Sequence, residues 1–139
     1  VGGRHSRQKS FRRERMLHLD HTIVLAHDQD ESARFIARMF GLTYDGRWGH
    51  FSPVHIDDNL SLDFADREGE FRGSHYAFLA SDEEFDAILG RVKAEGIPFG
   101  SGPGIQDDME INHKHQGRGF YFRDALDGHS WEIITHTYI

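Results

Sequence analysis

Residues 19–25 read Leu-Asp-His-Thr-Ile-Val-Leu and residues 73–79 read Gly-Ser-His-Tyr-Ala-Phe-Leu, so a short apolar strand with a histidine near its start occurs twice. Each strand runs into an acidic helix start and an amphipathic helix closed by glycine. From histidine to closing glycine is 20 residues in the first copy (His21 to Gly41) and 21 in the second (His75 to Gly96). Further on, Asp58-Asn-Leu-Ser-Leu-Asp63 stays in step with Asp127-Gly-His-Ser-Trp-Glu132. A repeat of this kind constrains the fold more than composition does, because one supersecondary unit used twice must bury a common core. It also puts His21, Asp63, His75 and Glu132 at equivalent points. Two imidazoles and a carboxylate, as in His21, His75 and Glu132, are the usual composition of an open divalent-metal site.

The local pattern of each copy reads as βαβββ. Leu19, His21, Ile23 and Leu25 fall on one strand face, since side chains alternate with period two. Asp28 and Glu31 have capping-box spacing, and Ala33, Ile36, Ala37 and Phe40 make an apolar helical stripe. Short strands are expected at Thr43–Tyr44, 49–56 and 60–65, with Asp57-Asp58-Asn59 as turn chemistry. A charged linker, 66–73, precedes the second copy. There Ser81 and Glu84 form a second capping box, and Phe85, Ile88, Leu89 and Val92 form the stripe. Strands at 119–123 and 130–135 close it as a hairpin around Asp127-Gly128. The gap from histidine to carboxylate grows from 42 to 57 residues. The surplus falls in 100–117, where glycines and Asn-His-Lys-His-Gln-Gly predict an enlarged mobile loop, a lid or rim.

The 139 residues, 37% hydrophobic and 28% charged, suit one domain: module one (17–66) and module two (73–137) within 17–139. Residues 1–16 are a basic arm, read as a leader or tail. Its six cations against Glu14 give +5, which leaves −12 of the total −7 for the rest of the chain. So acidic a body is a poor nucleic-acid surface. No apolar run is long enough to span a membrane. The chain has no cysteine, which excludes disulfides and thiolate ligands. Neither nucleic acid nor membrane is expected as a partner, and a cytoplasmic location is expected.

The paired βαβββ pattern, the Leu-Asp-His opening and the closing Gly119-Phe-Tyr-Phe-Arg-Asp124…Asp127-Gly-His-Ser-Trp-Glu132 resemble the vicinal oxygen chelate superfamily over residues 17–137. Its members include glyoxalase I, extradiol dioxygenases, fosfomycin-inactivating enzymes and metal-free bleomycin-binding proteins. The resemblance implies an α+β fold, two βαβββ modules forming a curved, partly open mixed sheet barrel with a concave active site. It implies a divalent ion (Fe, Mn, Zn or Ni, not distinguished) on His21, His75 and Glu132, chelating two neighbouring oxygens of a small-molecule substrate. It also implies a homodimer, with paired half-barrels or with modules exchanged between chains. Asp124-Ala-Leu-Asp-Gly128 is one residue longer than the family's common turn, and a bulge there would move Glu132.

Other candidates are Tyr121 and Asp63 for proton handling, and Arg118, His113, His115 and Trp48 for substrate binding. Asp63, one methylene shorter than Glu, is read as a hydrogen-bond partner of a ligand histidine or a strand-end salt bridge. His129 is expected in the turn and exposed. Two functions remain open. One is a metalloenzyme of lyase, isomerase or dioxygenase type. The other is a metal-free binding protein of the bleomycin-resistance type that sequesters a drug or metabolite.

Overall fold

A computed structural model describes residues 16–139, so the basic arm up to residue 15 lies outside the described residues. Strand β1 (His21–Ala26) leads into helix α1 (Gln29–Phe40). The Asp28 carboxylate accepts from the Glu31 N–H at 3.1 Å, and Gly41 ends the helix at φ 69°, a left-handed conformation that glycine adopts without strain. Strands β2 (Ser52–His55) and β3 (Ser61–Asp66) complete module one. Module two repeats the plan with β4 (His75–Leu79), α2 (Asp82–Ala94), β5 (Gly119–Arg123) and β6 (Ser130–Ile134). Ser81 caps α2 by accepting from the Glu84 N–H at 3.1 Å.

The repeat survives to the level of register. In module one β1 runs parallel to β3 with His21 beside Ser61; in module two β4 runs parallel to β6 with His75 beside Ser130. The antiparallel partners set Pro53 opposite Asp63 and Tyr121 opposite Glu132. Each sheet has three strands, in the orders β1-β3-β2 and β4-β6-β5, and neither closes. Thr43–Tyr44 forms no strand. The Tyr44 hydroxyl is drawn to Asp30 on α1 at 2.5 Å, and only a Trp48–Phe51 bridge precedes β2.

Alternation decides which face is buried. Val24, Ala26, Leu62 and Phe64 of the first sheet, and Phe120, Phe122, Trp131 and Ile133 of the second, join both helices in one continuous core. Trp131 lies at the centre of that junction, 6.1 Å from Phe40, 6.5 Å from Phe64 and 4.9 Å from Tyr76 between ring centroids. The opposite faces look outward. His21, Ile23 and Asp63 are on one, and His75, Leu79 and Glu132 are on the other.

The long turn after β5 is tied down internally rather than bulging. The Asp124 carboxylate accepts from the N–H groups of Asp127 (2.6 Å) and Gly128 (2.9 Å) and from the Trp131 indole (2.7 Å). Glu132 therefore keeps its register with Tyr121. His129, expected at the surface, is 1% exposed. Its Nε2 donates to the Leu25 carbonyl at 2.7 Å, and its Nδ1 accepts from the Ser74 N–H at 2.9 Å. It therefore stitches β1 to the second module. Asp127 reinforces the seam by accepting from the Ser32 hydroxyl (2.5 Å) and the His27 N–H (2.8 Å).

The surplus segment is a braced edge rather than a free loop. Gly100 exchanges both backbone hydrogen bonds with Tyr121 at 2.8 Å, and Asn112 does the same with Gly119 at 2.8 and 3.0 Å. A Cβ at Gly100 would collide with the Ile105 carbonyl oxygen, so the close approach needs glycine.

Replacing His129 with Ala strands the Leu25 carbonyl and the Ser74 N–H at the seam. It should cost about 2–5 kcal/mol of unfolding free energy in denaturant titration. A cost below about 0.5 kcal/mol would mean that the seam is not held there.

Candidate functional site

Module two carries a formed pair. His75 and Glu132 share the outward face of adjacent strands, and His75 Nε2 lies 2.8 Å from Glu132 Oε1. The His75 side chain is 48% exposed and that of Glu132 17%, so the pair opens to one side. Tyr121 projects onto the same face from β5, its ring edge-on to His75 at 5.8 Å. Its strand position is directly opposite Glu132. Burial first, and then the Glu132 carboxylate, push the Tyr121 hydroxyl well above the usual phenol range. Tyr121 therefore keeps its proton near neutral pH.

Module one carries the counterpart, altered by one methylene. Asp63 occupies the place of Glu132 but accepts from the Ser61 hydroxyl at 2.7 Å. His21 Nδ1 lies 2.8 Å from Asp20 instead. The hydrogen bond to Asp20, with further help from the Asp63 charge, raises the His21 pKa above its ordinary value. His21 and Asp63 line a cavity of about 650 Å³ whose far wall includes Trp48 and Phe51. A polar cluster that sequence reasoning missed stands behind this wall. Asp30 accepts from Tyr44 and Ser52 on one oxygen (2.5 and 2.9 Å) and from Arg47 Nε on the other (3.0 Å). A helix acid and a loop arginine 17 residues apart carry no local pattern that would join them.

Among the described residues, no group of three His, Asp or Glu side chains is close enough to hold one metal ion. His75 and Glu132 are brought together; His21 stands in the other half, with Asp63. Arg118 lies on the α2 side of its sheet, its guanidinium 2.9 Å from Asp82, 2.7 Å from Asp86 and stacked over Phe85 at 4.4 Å. His113 and His115 are exposed on the outer loop, and the His115 ring is 5.7 Å from Tyr138. Trp48 is 76% exposed on the cavity rim. No described helix is long and apolar enough to cross a membrane.

Paired βαβββ modules are the fold that the chain shares with known proteins. The model of the Glyoxalase/Bleomycin resistance protein/Dioxygenase superfamily matches residues 18–133. The chain belongs to this superfamily. The chain is similar to glutathione transferase FosA from Serratia marcescens, with 28% identity covering 83% of this chain and 78% of that protein. Among solved structures it is similar to the oxidase ChaP-H2 (44% identity, 88% of this chain and 96% of that one, TM-score 0.83). It is also similar to the oxidase ChaP-H1 (46% identity, 88% and 98%, TM-score 0.82). The fosfomycin resistance protein FosX from Mesorhizobium loti shares the fold at 21% identity and TM-score 0.61. Within the superfamily these relatives include oxidases and fosfomycin-resistance enzymes, and this supports a metal-dependent enzyme at that level.

The Asp30 cluster predicts an acid-sensitive wall. Arg47, and then Tyr44, hold the Asp30 carboxyl well below the usual carboxylate range. A depressed pKa contributes stability that is present above the unfolded value of about 4 and is lost as pH falls toward the folded one. Asp30→Asn should lower stability at pH 7 by about 1–3 kcal/mol and flatten the loss between about pH 4 and 2. Urea midpoints across pH measure both, and a variant with the same acid limb as the parent would contradict the assignment.

Proposed function

We propose that the protein is a metal-dependent oxidase whose site is completed between two copies of the chain. His21 of one copy would face His75 and Glu132 of the other. The observation that carries this reading is the split itself: a ready His-Glu pair on one outward sheet face, and the third donor on another. Apolar side chains flank both halves in the open, with Leu19 63%, Ile23 50% and Leu79 65% exposed. A second copy laid across these faces would cover them and bring the donors together, as a two-fold interface pairs unlike patches reciprocally.

The donor set fits a borderline divalent ion. Imidazole nitrogen and carboxylate oxygen suit iron, manganese, zinc or nickel, and three protein donors leave open positions. His75 and Glu132, now 2.8 Å apart, would both turn their donor atoms to the ion. When bound, it would hold two neighbouring substrate oxygens and draw negative charge onto them. The remaining work falls to the chain. Tyr121 keeps its proton and stands opposite Glu132, edge-on to the His75 ring. The Ser61 hydroxyl holds the Asp63 carboxylate on the same face as His21, where it would take the proton that a chelated hydroxyl loses. The oxidase reading draws on the 44% and 46% identity to the oxidases ChaP-H2 and ChaP-H1; dioxygen would be the electron acceptor.

Protein purified without chelator or affinity metal should carry one divalent ion per chain by elemental analysis. His21→Ala, His75→Ala and Glu132→Ala should each weaken metal affinity at least about tenfold while the far-UV signal persists. Full occupancy in two of the three would refute the ligand set. A wild-type chain that neither carries nor takes up metal would leave ligand sequestration as the activity.

A further inference from the structure

The joint between the two modules holds two histidines with opposite hydrogen-bonding patterns. His129 has a donor on one side and an acceptor on the other: Nδ1 accepts from the Ser74 N–H, and Nε2 donates to the Leu25 carbonyl. That pattern suits a neutral ring. His27, between β1 and the Asp28 cap of α1, meets only acceptors. Its Nδ1 lies 3.0 Å from Asp127 Oδ1 and 3.1 Å from the Leu126 carbonyl oxygen, and its Nε2 lies 3.1 Å from the Gly69 carbonyl oxygen. A neutral imidazole has one N–H, so at one end it would turn a lone pair on an oxygen. Only the imidazolium donates at both ends. The side chain is 50% exposed, so its proton exchanges freely with solvent.

These contacts join three parts of the chain. Leu126 and Asp127 belong to the β5–β6 turn of module two, Gly69 to the linker between the modules, and His27 itself to module one. Phe71 of the linker adds a face, stacked on the His27 ring at 4.6 Å between centroids. Around Phe71, residues 67–70 and 72 are exposed. Among the described residues, the other hydrogen bond from 67–72 to a module runs from the Arg67 N–H to the Ala26 carbonyl at 2.8 Å. The His27 ring therefore holds the middle of the linker. The charges around it favour the proton. Asp127 touches the ring, and its Oδ1 also accepts the His27 backbone N–H at 2.8 Å. Asp124 of the same turn already accepts from the Trp131 indole and two turn N–H groups. On α1, Asp30 is paired with Arg47, and Asp28 caps the helix. Among the described residues, Glu31 of α1 and Arg67, Glu68, Glu70 and Arg72 of the linker form no ion pair with His27. The Leu126 carbonyl first, then the Gly69 carbonyl, raise the His27 pKa above its ordinary value; Asp127 adds to them and burial opposes them.

We propose that His27 is a proton-operated clasp on the inter-module linker. As the imidazolium it ties Gly69 to Asp127 and Leu126, and so fastens the linker to both modules. When one proton leaves, the remaining N–H stays on Nδ1, where a carboxylate and a carbonyl both hold it. Nε2 then turns a lone pair on the Gly69 carbonyl, and the middle of the linker is released. The modules stay joined through His129 and through the Ser32 bond to Asp127. Because the folded-state pKa is raised, the clasp contributes stability that is fully present below the unfolded value of about 6.5 and is lost as pH rises through the folded one. The clasp stands apart from the metal site.

Trypsin reads the linker directly, because Arg67 and Arg72 flank Gly69 and Phe71. Cleavage after these two arginines in the full-length protein is followed by mass spectrometry across the histidine range, about pH 6 to about 9. At each pH the rate is divided by that for a free peptide of residues 64–75, which removes the enzyme's own pH dependence. In the wild type the ratio should rise about tenfold as the linker opens locally. His27→Gln, neutral at every pH, should be cut rapidly and without that rise. Proton–nitrogen correlation spectra of the wild-type histidines give a second readout that needs no variant. Both His27 ring nitrogens should carry protons at about pH 6, and the midpoint of the loss should lie above about 6.5 and coincide with the rise in cleavage. A flat ratio in the wild type, a His27 midpoint at or below the ordinary value, or an equal rise in His27→Gln would overturn the inference.

Discussion

Trp131 stacks on Tyr76 and Phe78 of its own module, meets Phe40 and Phe64 of the other, and gives its indole N–H to Asp124. Much of the architecture depends on this side chain facing inward. Its neighbour on β6 is Glu132, and period-two alternation sends that neighbour outward. The same holds on β3, where Leu62 is buried and Asp63 is not. Because the two modules pack through these inner faces, within one chain the faces that carry His21 with Asp63 and His75 with Glu132 both look away from the core. The packing that stabilises the fold is therefore the reason that His21 does not join His75 and Glu132 inside one chain.

The repeat was legible because it rests on local chemistry. Cap residues, glycine at the helix ends and strand alternation are written within a few positions of one another. Asp28, Gly41, Ser81 and the two His-to-Gly spacings placed both modules before any tertiary contact was known. Three features were hidden for the opposite reason. His129 reads as a polar turn residue, yet it is buried because its two ring nitrogens find the Leu25 carbonyl and the Ser74 N–H. The segment 100–117 reads as loose, yet Gly100 and Asn112 pair with β5 at both ends. Arg118 reads as a cation beside the site, but alternation places it with Phe120 and Phe122 on the helix side. For His129, Gly100 and Arg118 the deciding partners, Leu25 with Ser74, Tyr121, and Asp82 with Asp86, are all distant in sequence.

The carboxylates show how little sequence change divides the two halves. Glu132 is long enough to reach His75 across the strand pair. Asp63, one methylene shorter, turns to Ser61 and leaves His21 to Asp20. Tyr121 fills the space before one carboxylate, and Pro53 leaves it open before the other. One copy of the module carries a His-Glu pair and the other a cavity lined by His21 and His55. The two are complementary only if brought face to face.

That complementarity is tested most directly by mixing two broken chains. His21→Ala lacks one half of every site and Glu132→Ala the other, so neither alone should hold metal. Unfolded together and refolded, half of the dimers should be mixed, and each mixed dimer should regain one intact site, about a quarter of the wild-type metal per chain. Recovery of that fraction by elemental analysis, together with a dimeric mass, is the predicted result. No recovery from a mixture that demonstrably forms mixed dimers would contradict a site shared between chains.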